Sequence, residues 1–126
     1  MKKVLITGAK GKIGRVLSKG LKNYDLTLVD LPETDVRDYK KLSKIIKGHD
    51  AVIHLAWNTK TENFLSKKAD PDNKLMFKNI YNAALETNVP RVIMASSIRA
   101  DNFKAHKGKK LLSPNTLPKP VNPYGA

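Results

Sequence analysis

Short continuous apolar runs alternate along this chain with stretches in which apolar residues recur every three to four positions. Val4-Leu5-Ile6, Leu26-Thr27-Leu28-Val29, Val52-Ile53-His54-Leu55 and Val92-Ile93-Met94-Ala95 are runs of the first kind. Their continuity predicts strands buried on both faces, as in a covered parallel sheet. Between them Ile13, Val16, Leu17 and Leu21 recur at helical intervals, as do Tyr39, Leu42, Ile45 and Ile46. A third set, Leu75, Met76, Asn79, Ile80, Ala83 and Ala84, predicts another helix. Gly48 is placed to stop the second helix. Asp70-Pro71 is placed to start the third, with Asp as N-cap and Pro at the first helical position.

Strands alternating with helices imply right-handed crossovers and an α/β fold, a three-layer doubly wound parallel sheet. A short additional strand is expected around Thr34–Val36, between Asp30 and the second helix. That makes about five strands in spatial order 3-2-1-4-5, the fourth at 51–56 and the fifth at 91–96. After residue 98 the pattern dissolves into a polar, lysine- and proline-rich stretch, so 1–98 reads as the domain and 99–126 as loop or tail.

Composition changes this picture little; charge raises one question. The 126 residues are 40% hydrophobic and 28% charged, enough apolar material for one modest core. There is no cysteine, which removes disulfides and thiolate chemistry and fits a reducing cytoplasm. The apolar run after Met1-Lys2-Lys3 is too short for a signal peptide, and none approaches a bilayer's thickness. The chain therefore reads as a soluble, cytoplasmic domain with no membrane contact. Lys and Arg number 24 against 11 acidic residues, a net +13, which makes nucleic acid a partner to consider. The lysines are spread along the chain, however, and no aromatic residues interleave with them to stack bases. A lysine-rich solvated surface accounts for them better than a nucleic-acid site does.

Gly8, Gly11 and Gly14 follow the first strand and open the first helix, in the loop Gly8-Ala9-Lys10-Gly11-Lys12-Ile13-Gly14. In a Rossmann-type βαβ unit, the first glycine permits the tight turn and the second lets backbone approach a pyrophosphate. The third brings the helix close to the sheet. The helix N-terminus then offers free N–H groups and partial positive charge to the phosphates. No Gly-Lys-Ser/Thr ends the loop, so it is not a Walker loop. The bland alternative is a glycine-rich turn without a ligand. Asp30, after the second strand, is placed to accept from the adenosine ribose hydroxyls and to repel a 2′-phosphate. That favours NAD over NADP, although Lys10 and Lys12 could pair with such a phosphate. A plain turn former before Leu31-Pro32 is the other reading of Asp30.

These residues resemble the extended short-chain dehydrogenase/reductase family, the NAD-dependent epimerases and dehydratases. Thr7 to Gly14 resembles that family's cofactor loop. Asp35-Val36-Arg37-Asp38 is similar to its adenine-side segment, which implies Asp35 and Val36 as adenine contacts. His54-Leu55-Ala56 resembles the end of the fourth strand, so Leu55, Ala56 and the following Trp57 are implied along the cofactor. Asn73, with Asn79 and Ala83-Ala84, resembles a helical pattern whose first Asn approaches the cofactor. Val89 to Ser97 resembles the fifth strand with its terminal serine pair. The resemblance implies Ser97 as the hydroxyl that polarises a substrate oxygen, and Ser96 nearer the cofactor. Pro123-Tyr124-Gly125-Ala126 resembles the start of a Tyr-x-x-x-Lys motif, which implies Tyr124 as the acid/base exchanging a proton with a sugar hydroxyl. The motif's lysine would fall beyond Ala126. A free phenol has a pKa near 10 and is a poor base alone. The expectation is therefore a piece of a longer enzyme or a short form that cannot catalyse alone. Residues 57–73 and 98–103 lean towards the uronate-dehydrogenase-like branch.

The implied function is the NAD-binding part of a sugar or nucleotide-sugar oxidoreductase, epimerase or dehydratase. A catalytically silent NAD-binding regulatory or scaffold module is the alternative, and a basic nucleic-acid-binding protein the third. An uncovered fifth strand, or the helix at 71–88, is expected to pair copies into a homo-oligomer. His54 reads as a core histidine, and His106, among lysines, as exposed. No His/Asp/Glu cluster has metal-ligand spacing.

Overall fold

The computed structural model describes residues 1–59, 71–97, 106 and 113–119. They fall into two compact units: one of 1–57 with 71–95, the other of 58–70 with 96–126. The first holds all the described regular structure. In chain order it runs β1 (Lys3–Thr7), α1 (Lys12–Gly20), β2 (Asp25–Val29), α2 (Tyr39–Ile46), β3 (Ala51–His54), α3 (Pro71–Glu86) and β4 (Val92–Met94). The expected N-cap Asp70, the segment 98–103 and Tyr124 lie outside the described residues.

The four strands are parallel in the order β2-β1-β3-β4. The expected strand at 34–36 does not form; without it the expected order reduces to the observed one. The reason is local. Thr34 N donates to Asp30 O at 2.9 Å, Asp38 N to Asp35 O at 3.0 Å, and Arg37 N to the Asp35 carboxylate at 2.9 Å. Turns thus take up the backbone groups that a sheet edge would have used. Val36 turns inward, and its carbonyl accepts from the Asn79 side chain at 3.0 Å.

Period-two alternation divides the sheet into two faces. Leu5, Val29 and Val52 pack with Val36 and with α2 and α3, through Leu42, Ile46, Met76, Ile80, Ala83 and Ala84. Val4 and Ile6 face the other way and pack with Ala9, Leu26, Ala51, Ile53 and Leu55, joined by Leu17 and Leu21 after β1. Helices on both faces make the architecture three-layered and doubly wound. The inward line of α1 differs from the expected one. Ile13 and Val16 are exposed, and Gly14 is the buried residue of the helix. Gly48 stands just past α2 with φ +83°, the left-handed conformation that ends a helix. The second unit holds little described structure; His106 is buried in place of the expected exposure.

Candidate functional site

The C-terminal ends of β1, β2 and β3 meet at the glycine loop. Gly8 leaves β1 with φ +66°, and a Cβ there would lie 2.7 Å from Ala56 N and 2.8 Å from Leu55 C. Only glycine fits a turn that both takes positive φ and presses against the end of β3. Gly14 is as constrained. A Cβ there would stand 2.5 Å from Gly8 O and 2.7 Å from Ala9 Cα, so α1 sits directly on the loop. Gly11 closes the turn, donating from its N to Gly8 O at 3.0 Å.

Gly11 is also the N-cap of α1. It offers no side-chain cap, and the first turn carries no acidic residue. The contrast with α2 is instructive, because Asp38 caps that helix by accepting from Lys41 N at 3.1 Å. The start of α1 therefore presents amide hydrogens and the positive end of the helix dipole with no anion of its own.

Across the loop, Asp30 accepts from Lys10 N at 2.7 Å through one carboxylate oxygen and from Leu31 N at 2.8 Å through the other. Two acceptor positions of the carboxylate remain beyond those bonds. Lys10 reaches over the same turn: its Nζ donates to Leu31 O at 2.9 Å and pairs with Glu33 at 2.6 Å. The Lys10 hydrogen bond holds the Glu33 carboxyl below the usual carboxylate range. Lys10 is thus occupied by the protein, whereas Lys12 is exposed.

Asp35 is bound by Arg37, which donates from Nη2 at 2.7 Å and from Nε at 3.0 Å. That guanidinium also reaches Asp72 on α3 at 3.0 Å, and it keeps the Asp35 carboxyl below its ordinary range. Val36 is buried, and its carbonyl is taken by the Asn79 side chain. At the end of β3, Leu55 and Ala56 are half-buried and Trp57 is partly exposed. Asn73, in the first turn of α3, is buried. Ser96 is exposed and Ser97 half-buried; both belong to the second unit. The first unit therefore brings together Gly8, Lys10, Gly11, Gly14 and Asp30, with Leu55 and Ala56 behind them.

Three residues at this site escape a reading of the chain alone. Thr7 accepts from both Leu55 N and Ala56 N, at 3.1 and 3.2 Å. Glu33 holds Lys10, and Arg37 joins Asp35 to α3. Thr7 had a signal in its place before the first glycine. The other two are pairings across turns, which spacing does not announce.

Residues 4–126 match the model of the NAD dependent epimerase/dehydratase family. The chain is 31% identical over 106 residues to an L-arabinose 1-dehydrogenase (NAD(P)(+)) of Haloferax volcanii, covering 77% of this chain and 41% of that one. The crystal structure of uronate dehydrogenase from Agrobacterium tumefaciens superposes with a TM-score of 0.77 at 26% identity, over 99% of this chain and 51% of that one. That of UDP-N-acetylglucosamine 4-epimerase from Bacillus cereus gives 0.79 at 25% identity, over 99% and 46%. The chain spans about half the length of the relatives it matches.

Proposed function

This chain belongs to the NAD dependent epimerase/dehydratase family, and from that premise we propose that its first unit holds NAD as the cofactor-binding part of a sugar or nucleotide-sugar oxidoreductase, epimerase or dehydratase. One observation carries the reading: the uncapped N-terminus of α1 is locked by Gly8 and Gly14 against the strand ends, with the Asp30 carboxylate across the loop. A pyrophosphate suits the amides of Lys12 and Ile13 in the first turn of the helix, the Gly11 amide being taken by Gly8 O. Asp30, with acceptor positions left over, suits the adenosine ribose hydroxyls. Asp35 and Val36 are assigned to the adenine side, and Leu55, Ala56, Trp57, Asn73 and Ser96 to the length of the cofactor.

Two acidic side chains, Asp30 and Glu33, lie on the turn after β2 that is assigned here to the adenosine ribose, and Glu33 already takes the Lys10 ammonium. Both features favour NAD over NADP. When bound, NAD supplies the hydride acceptor. Ser97 would hold a substrate oxygen by its hydroxyl, and Tyr124 would exchange a proton with a sugar hydroxyl. A phenol performs that exchange near neutral pH only with a cation beside it to lower its pKa. Calorimetric titration of the full chain with NAD and with NADP tests the reading. NAD should bind more tightly; binding of neither dinucleotide overturns it.

A further inference from the structure

His54 ends β3, and strand alternation puts its side chain on the face that α2 and α3 cover, where it is buried. Its Nδ1 lies 2.7 Å from Thr7 Oγ1. Its Nε2 is buried with no hydrogen-bond partner among the described residues.

Thr7 decides which ring nitrogen carries the proton. Leu55 N shares its hydrogen between the Thr7 hydroxyl oxygen at 3.1 Å and the Thr7 carbonyl at 3.2 Å, and Ala56 N donates to the hydroxyl oxygen at 3.2 Å, so two backbone donors already face that oxygen. What remains is the hydroxyl's own hydrogen, and that hydrogen points at Nδ1. Nδ1 is then an unprotonated acceptor, and the neutral ring carries its proton on Nε2. The opposite tautomer would aim an N–H at an oxygen already surrounded by donors. Burial pushes the His54 pKa down to about 4, in keeping with a ring that stays neutral.

We propose that His54 is a positioning residue whose Nε2–H tautomer orients the Thr7 hydroxyl, which in turn fixes the Leu55–Ala56 peptide against Gly8. The fit there leaves no slack, since even a Cβ on Gly8 would come within 2.7 Å of Ala56 N. The buried Nε2–H without a partner is the cost of the arrangement, because the useful atom is Nδ1. The consequence for cofactor affinity rests on the NAD reading above; the tautomer and the peptide's rigidity do not.

Long-range proton–nitrogen correlation spectra of the 15N-labelled full chain at neutral pH read the tautomer directly. The expected result is an unprotonated Nδ1 and a protonated Nε2 for His54; a protonated Nδ1 overturns the proposal. Hydrogen exchange at the Ala56 amide and NAD titration then compare His54→Leu with His54→Asn. The leucine removes the acceptor for Thr7 and should speed Ala56 exchange and weaken NAD each by about fivefold. The asparagine, whose Oδ1 can accept from Thr7, should recover most of both. Unchanged Ala56 exchange in His54→Leu overturns the proposal. The expected tautomer and exchange pattern in a chain that binds no NAD supports this proposal and defeats the cofactor reading.

Discussion

The two faces of the sheet are built to different standards. Towards α2 and α3, Leu5, Leu42, Ile46, Val52 and Ile80 are all 0% exposed. On the α1 side, Leu28 and Ile93 face outward from the sheet at 49% and 47% exposure, and α1 itself leaves Ile13 and Val16 at 60% and 69%. Among the described residues, then, the α2/α3 face supplies the larger core, while the α1 face is closed at its centre, where Ile6 is 0% exposed, and open along the edge strands. The α1 face, the less fully covered of the two, carries the glycine loop. A helix held there mainly by the close approach of Gly14, Leu17 and Leu21 is positioned by geometry more than by buried area. Stability and binding geometry are therefore largely separable in this domain.

The largest test of that separation is a pair of truncations. Ile80→Ala should lower unfolding free energy by about 3–4 kcal/mol, because a fully buried side chain leaves a cavity. Val16→Ala on α1 should change it by no more than about 0.5 kcal/mol. Urea denaturation measures both; similar losses would remove the distinction between the faces.

Acid probes the densely packed face from inside. His54 has its pKa lowered by burial from 6.5 to about 4, so the folded chain binds this proton less readily than the unfolded one. Stability should then be full above about pH 6.5 and fall as pH drops towards 4, by up to roughly 3 kcal/mol. His54→Asn should flatten that window. The carboxyls held low by partners, Asp35 by Arg37 and Asp50 by the Lys3 amide and the Lys2 ammonium, act the same way but below their ordinary pKa of 3.8. Denaturation midpoints between pH 4 and 7 separate the two contributions, and an unchanged slope in His54→Asn would refute this account.

Gly14→Ala addresses the thinner face. Its Cβ would meet Gly8 O at 2.5 Å, so α1 must move off the loop. Overpacking of this kind costs about 1–3 kcal/mol, and NAD affinity should drop by at least about tenfold. A variant that loses stability but keeps full affinity would show that the loop's geometry is not what binds.

The smallest effect concerns cofactor choice. Glu33→Gln removes the partner that holds Lys10 over the Asp30 turn. The pair is exposed, so releasing Lys10 should narrow the gap between NAD and NADP affinities by only about two- to fivefold. Lys10→Met in the same background should abolish that gain, as parallel titrations would reveal.

Much of this was legible in the chain. Continuous apolar runs marked all four strands, and 3.6-residue spacing marked the three described helices, because burial on both sheet faces and on one helix face leaves those periods in the sequence. The glycine triplet located the loop, since only glycine survives where Gly8 and Gly14 meet backbone at under 3 Å. Three things were decided by the tertiary structure. Whether 34–36 would be a strand or a turn depended on Asp30, Asp35 and Asn79 taking up its backbone groups. Which side of α1 turned inward depended on the close approach of Gly14, which a hydrophobicity pattern cannot register. The bonds of Lys10 to Glu33 and of Thr7 to His54, Leu55 and Ala56 join residues 23 to 49 positions apart. Local pattern records what each residue avoids or seeks in water; which partner it finds across the sheet is set only when the chain has folded.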